Sequence, residues 1–186
     1  MEPAGKEASV GRADGVTLLE AMFSMSVLSI LAVIAVPAFA DLKLNADRTT
    51  TVNEFFHAIF LARSESLKRG EVVSVCRSVN GETCADSGTP WAVGWIVFVN
   101  SDREEPAQRD PGEPLLAVYS ARNTVTITSN RATYSFRPGV QGVVNGTIVF
   151  CDRRGSDHAR AIIISHTGRP RVAKRDASGR ALACPS

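Results

Sequence analysis

Residues 16–40, VTLLEAMFSMSVLSILAVIAVPAFA, form one apolar run whose only charge is Glu20. A helix crosses a bilayer with roughly 20 such residues, so the run is long enough to span one. From Asp41 the pattern becomes amphipathic. Leu42, Ala46, Thr49, Val52, Phe56, Phe60 beside Ile59, Arg63 and Leu67 return at helical intervals. This predicts a continuation of the helix over residues 41–70 that lays this stripe on a globular domain. Lys68 and Arg69 followed by Gly70 are stop signals, so the sequence predicts one helix from Val16 to Arg69. Beyond Gly70 the period switches to two. Short β-branched segments separated by Gly, Pro, Asn or Asp predict antiparallel strands at 71–77, 94–99, 115–119, 124–128, 132–136, 147–151, 159–165 and 171–173. The fold class is α+β: a long N-terminal helix, then a β-rich domain over 71–186. Between the second and third strands, SDREEPAQRDPGEP reads as a solvated polar loop. Its acids Asp102, Glu104, Glu105 and Asp110 lack the alternating pattern of a calcium loop.

The order of segments determines how the apolar run is used. A secretory signal has a shorter apolar stretch followed by a small-residue cleavage site. Here the polar residues 1–15 come first and end in Gly15, so their removal leaves the anchor on the mature chain. Glu20 is anomalous inside such an anchor. An ionised carboxylate in hydrocarbon is costly and retained mostly for function, and it requires a cationic partner. Pro37 removes one backbone hydrogen bond from the helix and would loosen it.

The four cysteines, Cys76, Cys84, Cys151 and Cys184, all follow the apolar run and none forms a CxxC pair. Zinc is therefore disfavoured, and the spacing suits two disulfide-closed loops, Cys76–Cys84 and Cys151–Cys184, among three possible connectivities. Unpaired core cysteines are the alternative. Disulfides would place the domain in an oxidising, extracytoplasmic compartment.

With 44% apolar and 22% charged residues the chain has an ordinary globular composition, which excludes a disordered protein but names no function. The net charge of +2 conceals an asymmetry, because from Ile148 onward eight basic residues face three acidic ones. No Ser or Cys lies in a nucleophile motif, and no glycine-rich phosphate loop is present. His57, His158 and His166 are isolated in the sequence. An enzyme is not expected, nor a cofactor or a metal.

GVTLLE at 15–20, followed by the uncharged run and Pro37, resembles the leader motif of type IV pilins and pseudopilins. The resemblance implies that prepilin peptidase of the inner membrane cuts between Gly15 and Val16 and methylates the new N-terminus. Val16 stands where most members have Phe. It further implies that Glu20, fifth in the mature chain, is neutralised during assembly by an N-terminal amine. ARSESLKRGEVVSVC at 62–76, GWIVFVN at 94–100, IVFC and the late HTGRPR are similar to FimT/GspH-type minor pilins. That resemblance implies two small antiparallel sheets packed on the helix. The implied location is single-pass in the inner membrane with a periplasmic domain, extracellular once assembled with other pilins.

Gly168-Arg169-Pro170-Arg171 matches the G-R-x-R motif of DNA-binding FimT-type pilins. Residue physics agrees: Thr167-Gly168 is a turn, and two arginines two apart in an extended segment project to one side, where guanidinium forks suit phosphates. Lys174, Arg175 and Arg160 would widen the patch. With few aromatic residues nearby, base stacking contributes little, so the expectation is DNA-backbone recognition without sequence preference, in support of natural transformation. The alternative is a GspH-like pseudopilin of type II secretion, or an assembly-priming minor pilin, with this segment a solvated basic tail.

Overall fold

A computed structural model describes residues 15–120, 123–139 and 145–185. The leader is thus represented only by Gly15, and residues 1–14 lie outside the described part. Helix α1 runs from Leu18 to Arg69 and includes Pro37. The chain divides into two compact units, one ending at Leu42 and the other running from Lys43 to Ser186.

In the first unit, Thr17 starts the helix. Its Oγ1 accepts the backbone N–H of Glu20 at 3.3 Å and its carbonyl accepts that of Ala21 at 3.1 Å. Thr17 and Glu20 thus occupy the N-cap and N3 positions of a T-x-x-E capping sequence, where a negative charge meets the positive end of the helix dipole. Ser24, Ser26 and Ser29 donate their hydroxyls to the carbonyls of Glu20, Met22 and Ser26, so no donor is left bare on an apolar surface. Leu18, Phe23, Leu28, Ile34 and Phe39 are all exposed, and the most apolar stretch has a mean hydropathy of 2.2. This surface fits a single-pass membrane anchor.

In the second unit the helix buries Leu44, Arg48, Thr51, Val52, Phe55, Ala58, Ile59, Ala62 and Ser66. The predicted stripe needs correcting, since Leu42, Ala46, Thr49, Phe60 and Leu67 are exposed. The adjacent pairs Phe55-Phe56 and Ile59-Phe60 offer two apolar ridges about 100° apart. The polar residues on the buried ridge all have partners: Arg48 has Asp152 and Ser66 has the carbonyls of Glu71 and Phe136, while Thr51 bonds back to the Asp47 carbonyl of its own helix. The helix ends at Gly70, whose φ of +72° and N–H bond to the Ser66 carbonyl form a left-handed cap that favours glycine.

Eight strands follow: β1 (Val73–Arg77), β2 (Gly94–Val99), β3 (Leu115–Ser120), β4 (Thr126–Ser129), β5 (Thr133–Phe136), β6 (Gly146–Cys151), β7 (Arg160–Ile164) and β8 (Pro170–Ala173). They form two four-stranded antiparallel sheets, ordered β3-β2-β1-β5 and β4-β6-β7-β8. One long N-terminal helix with two small antiparallel sheets is the α+β architecture expected from the sequence. The main core joins all three layers around Phe55. Its ring lies 4.9 Å from Trp95, 5.4 Å from Trp91 and 5.7 Å from Phe150, distances that give aromatic pairs their edge and offset contacts.

Both sheets are also covered on their outer faces. Cys76, Ile96 and Phe98 on the first sheet are buried under Ala107 of the 101–114 loop. That loop is more than a solvated connection. The Glu113 carboxylate accepts the N–H groups of Ser101 and Asp110 at 2.6 and 3.1 Å, and Asn100 donates to Ser74 Oγ and the Glu104 carbonyl. On the second sheet, Cys151, Ala159, Ala161 and Ile163 pack against Leu182 of the C-terminal tail. Disulfide Cys151–Cys184 fastens the tail to the second sheet, and Cys76–Cys84 ties the β1–β2 connection to the first, where Cys84 packs on the same cluster as Ala107.

Candidate nucleic-acid interface

The β7–β8 connection has the form of a three-residue hairpin loop with a bulge. Ser165 donates its N–H to the Arg169 carbonyl at 3.1 Å, and its own carbonyl accepts from Gly168 at 2.8 Å. Ser165 Oγ also accepts the Arg169 N–H at 3.3 Å and lies 2.8 Å from Thr167 Oγ1. Gly168 has φ +72° and is buried; a Cβ there would stand 3.5 Å from the Phe136 ring and 3.7 Å from Arg63 Nε. Glycine is therefore the residue this loop requires, and it seats the loop against the helix and β5.

Arg169 is exposed at the end of the loop, and Arg171 is exposed on β8 opposite Ile163. By strand alternation Arg171 shares the outer face of the sheet with Ile163 and Ala173. Arg171, Lys174 and Arg175 line one open depression with Val172, Asp176 and Ala177. Arg175 donates to the Gly179 carbonyl at 3.1 Å. Among the described residues Arg169, Arg171 and Lys174 have no carboxylate partner. The neighbouring Asp176 is committed elsewhere. It accepts the N–H groups of Ser178 and Arg180 and the Arg180 Nε, all at 2.8 Å, and these bonds draw its pKa below the ordinary carboxylate value.

Arg160 does not join this group. Alternation places it on the inner face with Ile162 and Ile164, roughly 10 Å along β7 from the Arg171 register position, and its guanidinium donates to the carbonyls of His158 and Ala159. Nor is every base of the C-terminal segment available. Arg154 donates its Nε and Nη2 to Asp152 at 3.0 and 2.7 Å, and Arg48 of the helix donates its Nη1 to the same carboxylate at 3.1 Å. Asn45 Oδ1 accepts from both arginines. The Arg154 hydrogen bonds hold Asp152 down at about 2, against the opposing effect of burial. Burial, reinforced by nearby Arg160, pulls Arg48 below its ordinary value. This cluster joins helix to sheet and is internal.

Among the described residues no group of three His, Cys, Asp or Glu could share a metal ion. His57, on the helix, has its Nδ1 2.8 Å from the hydroxyl of Tyr119 on β3, which belongs to the other sheet from Arg171.

The profile of the family described as Type II transport protein GspH matches residues 51–168. The chain belongs to the GspH family. The match covers the packed half of the helix and most of both sheets. Two crystal forms of the type IV minor pilin FimU from Pseudomonas aeruginosa are similar in structure at 16% identity, with TM-scores of 0.46 and 0.48. Each alignment covers 74% of this chain and 94% or 99% of the FimU chain. No curated protein matches the sequence significantly. The GspH-family assignment rests on the profile match, which ends at Gly168 and stops short of Arg169, Arg171, Lys174 and Arg175. Sequence reasoning named those four; it placed Arg63 in the packing stripe and counted Asp152 only as one of the three acids from Ile148 onward. The repeated helical spacing of Asn45 and Arg48 among apolar neighbours was the available signal for the latter.

Proposed function

We propose that this GspH-family protein is a minor pilin of a type IV pilus that holds DNA by its backbone and supports DNA uptake in natural transformation. The observation that carries the reading is the gathering of Arg171, Lys174 and Arg175 around one open depression, with exposed Arg169 on the adjoining loop. The nearest acid, Asp176, is already occupied by Arg180. Such a cluster neutralises phosphates and releases their counterions. Neither a helix nor a two-stranded ribbon among these residues is shaped for the major groove, so base identity has little influence. On this reading the chain is cut between Gly15 and Val16 by prepilin peptidase, sits in the inner membrane by its apolar helix with the β-rich domain in the periplasm, and assembles with other pilins through that helix and Glu20. Single-subunit affinity is modest, in the non-specific range of roughly 10⁻⁴–10⁻⁶ M; several subunits acting on one DNA molecule make it sufficient.

A salt titration by fluorescence anisotropy, using the full chain in non-ionic detergent and labelled duplexes of unrelated sequence, tests this. Binding should weaken steeply with salt, and R169Q/R171Q should remove most of it while leaving the circular dichroism spectrum unchanged. Salt-insensitive binding, no binding at low salt, or a double variant that binds like wild type would overturn the reading.

The second reading is a GspH-like pseudopilin of type II secretion, or an assembly-priming pilin without DNA affinity. One observation favours it: the family match ends before the basic segment begins, so membership alone supplies no reason for the arginines.

A further inference from the structure

We propose that Arg63, on the helix, is a further phosphate-contacting residue of this surface, which makes the interface a composite of α1 and the β7–β8 loop. The inference rests on the DNA-binding reading above. Arg63 lies on the helical ridge of Phe56, Phe60 and Leu67, at the margin of the packed face, where Phe56 touches the core and Phe60 and Leu67 are exposed, and it is half-buried. Its Nε stands 3.7 Å from the Cβ position at Gly168, beside the Phe136 ring. Because residue 168 is glycine, no side chain separates the guanidinium from the loop backbone that carries Arg169.

Among the described residues Arg63 has no carboxylate partner. The nearest helix acid in sequence, Glu65, is held by Lys68 at 3.5 Å and by Arg69 at 2.6 Å, and residues two apart on a helix do not face each other. Arg63 stands beside Gly168 and exposed Arg169 follows it in the chain, and among the described residues neither has a carboxylate partner. A polyanion laid across this loop is attracted by both charges. A purely structural arginine at this position would have a backbone carbonyl or a carboxylate to hold it, as Arg77 has in the carbonyls of Ser87, Thr89 and Ala132. Arg63 has neither.

The test uses the full chain in non-ionic detergent and a labelled DNA duplex, with R63M, R63K and R169Q/R171Q compared with wild type over a range of salt. R63M keeps most of the apolar stem and removes the charge. It should lower the slope of log affinity against log salt by about 1, the signature of one lost phosphate contact, while R63K keeps the wild-type slope. Slopes are read well below the melting temperature of each variant, so any loss of stability does not enter the comparison. If wild type binds and R169Q/R171Q does not, but R63M retains the wild-type slope, the Arg63 assignment alone is overturned. If wild type shows no salt-dependent binding, the DNA-binding reading and this inference are overturned together.

Discussion

Substituting Asp152 by Asn should destabilise the β-rich domain by about 3 kcal/mol, because it removes the buried carboxylate that Arg48 and Arg154 share. Asp152 is fully buried and Arg48 is 6% exposed, with Nε of Arg48 already lacking a partner. Breaking a buried ion pair by neutralising one member costs roughly 3–5 kcal/mol, since the other charge stays in a poorly solvated site. The lower end applies because Arg154, at 14% exposure, can turn toward water and Asn45 still accepts from Arg48. For a protein of this size that corresponds to a fall in Tm of about 6–12 °C, read by circular dichroism of the full chain in detergent. The pH dependence provides an independent check. Asp152 is lowered from 3.8 to about 2 in the folded state, so its contribution is fully present above the unfolded value and disappears as pH falls through about 2. At 1.36 kcal/mol per unit this amounts to at most about 2 kcal/mol. The Tm gap between wild type and D152N should therefore narrow between about pH 5 and pH 2. A variant melting within about 2 °C of wild type, or a gap that stays constant through that window, would refute the reasoning. An apolar double replacement, R48M/D152L, should be far milder than D152N, because it leaves no unpaired charge.

Two further outcomes follow from the chain's covalent features. Mass spectrometry of the envelope protein should find a mature N-terminus at Val16 with the apolar run retained, and an N-terminus at Met1 or beyond Ala40 would contradict the leader assignment. C151S/C184S should cost roughly 3 kcal/mol through the freed 33-residue loop; a melting temperature unchanged from wild type, or a Cys76–Cys151 bridge in non-reducing peptide maps, would contradict the pairing.

Most of the architecture was legible because its signals are local. The change from an apolar run to helical spacing and then to period two, with Gly70 at the boundary, located the helix end and eight strand segments within a residue or two. What stayed hidden depends on contacts between distant segments. Phe55-Phe56 and Ile59-Phe60 left two helical faces equally apolar, and the partners that Arg48 and Ser66 find in the β-rich part mark the buried one. Arg160 and Arg171 look equivalent in the sequence, yet strand register puts them on opposite faces of one sheet. Thr17 and Glu20 were read through the leader motif, although T-x-x-E is also a capping sequence, and the structure puts them at the N-cap and N3 positions of the helix. The charge of Glu20 and its place in the first turn thus have a local explanation in addition to the one drawn from assembly.

The tail that carries Lys174 and Arg175 is a strap fastened at both ends. At one end β8 is laddered to β7, and at the other Cys184 is bonded to Cys151, which terminates β6. Between them a single bridge joins Arg175 to Ala181 across the Asp176–Arg180 turn. Tightening this strap is an oxidation, so the spacing of the cations depends on the compartment as well as on the fold. While the thiols remain reduced, the tail beyond β8 is held only by non-covalent contacts, chiefly the burial of Leu182 and the Arg175–Ala181 bridge. Once the bond closes, the arrangements open to the chain between β8 and Cys184 are fewer, and the cations it carries are restricted with them.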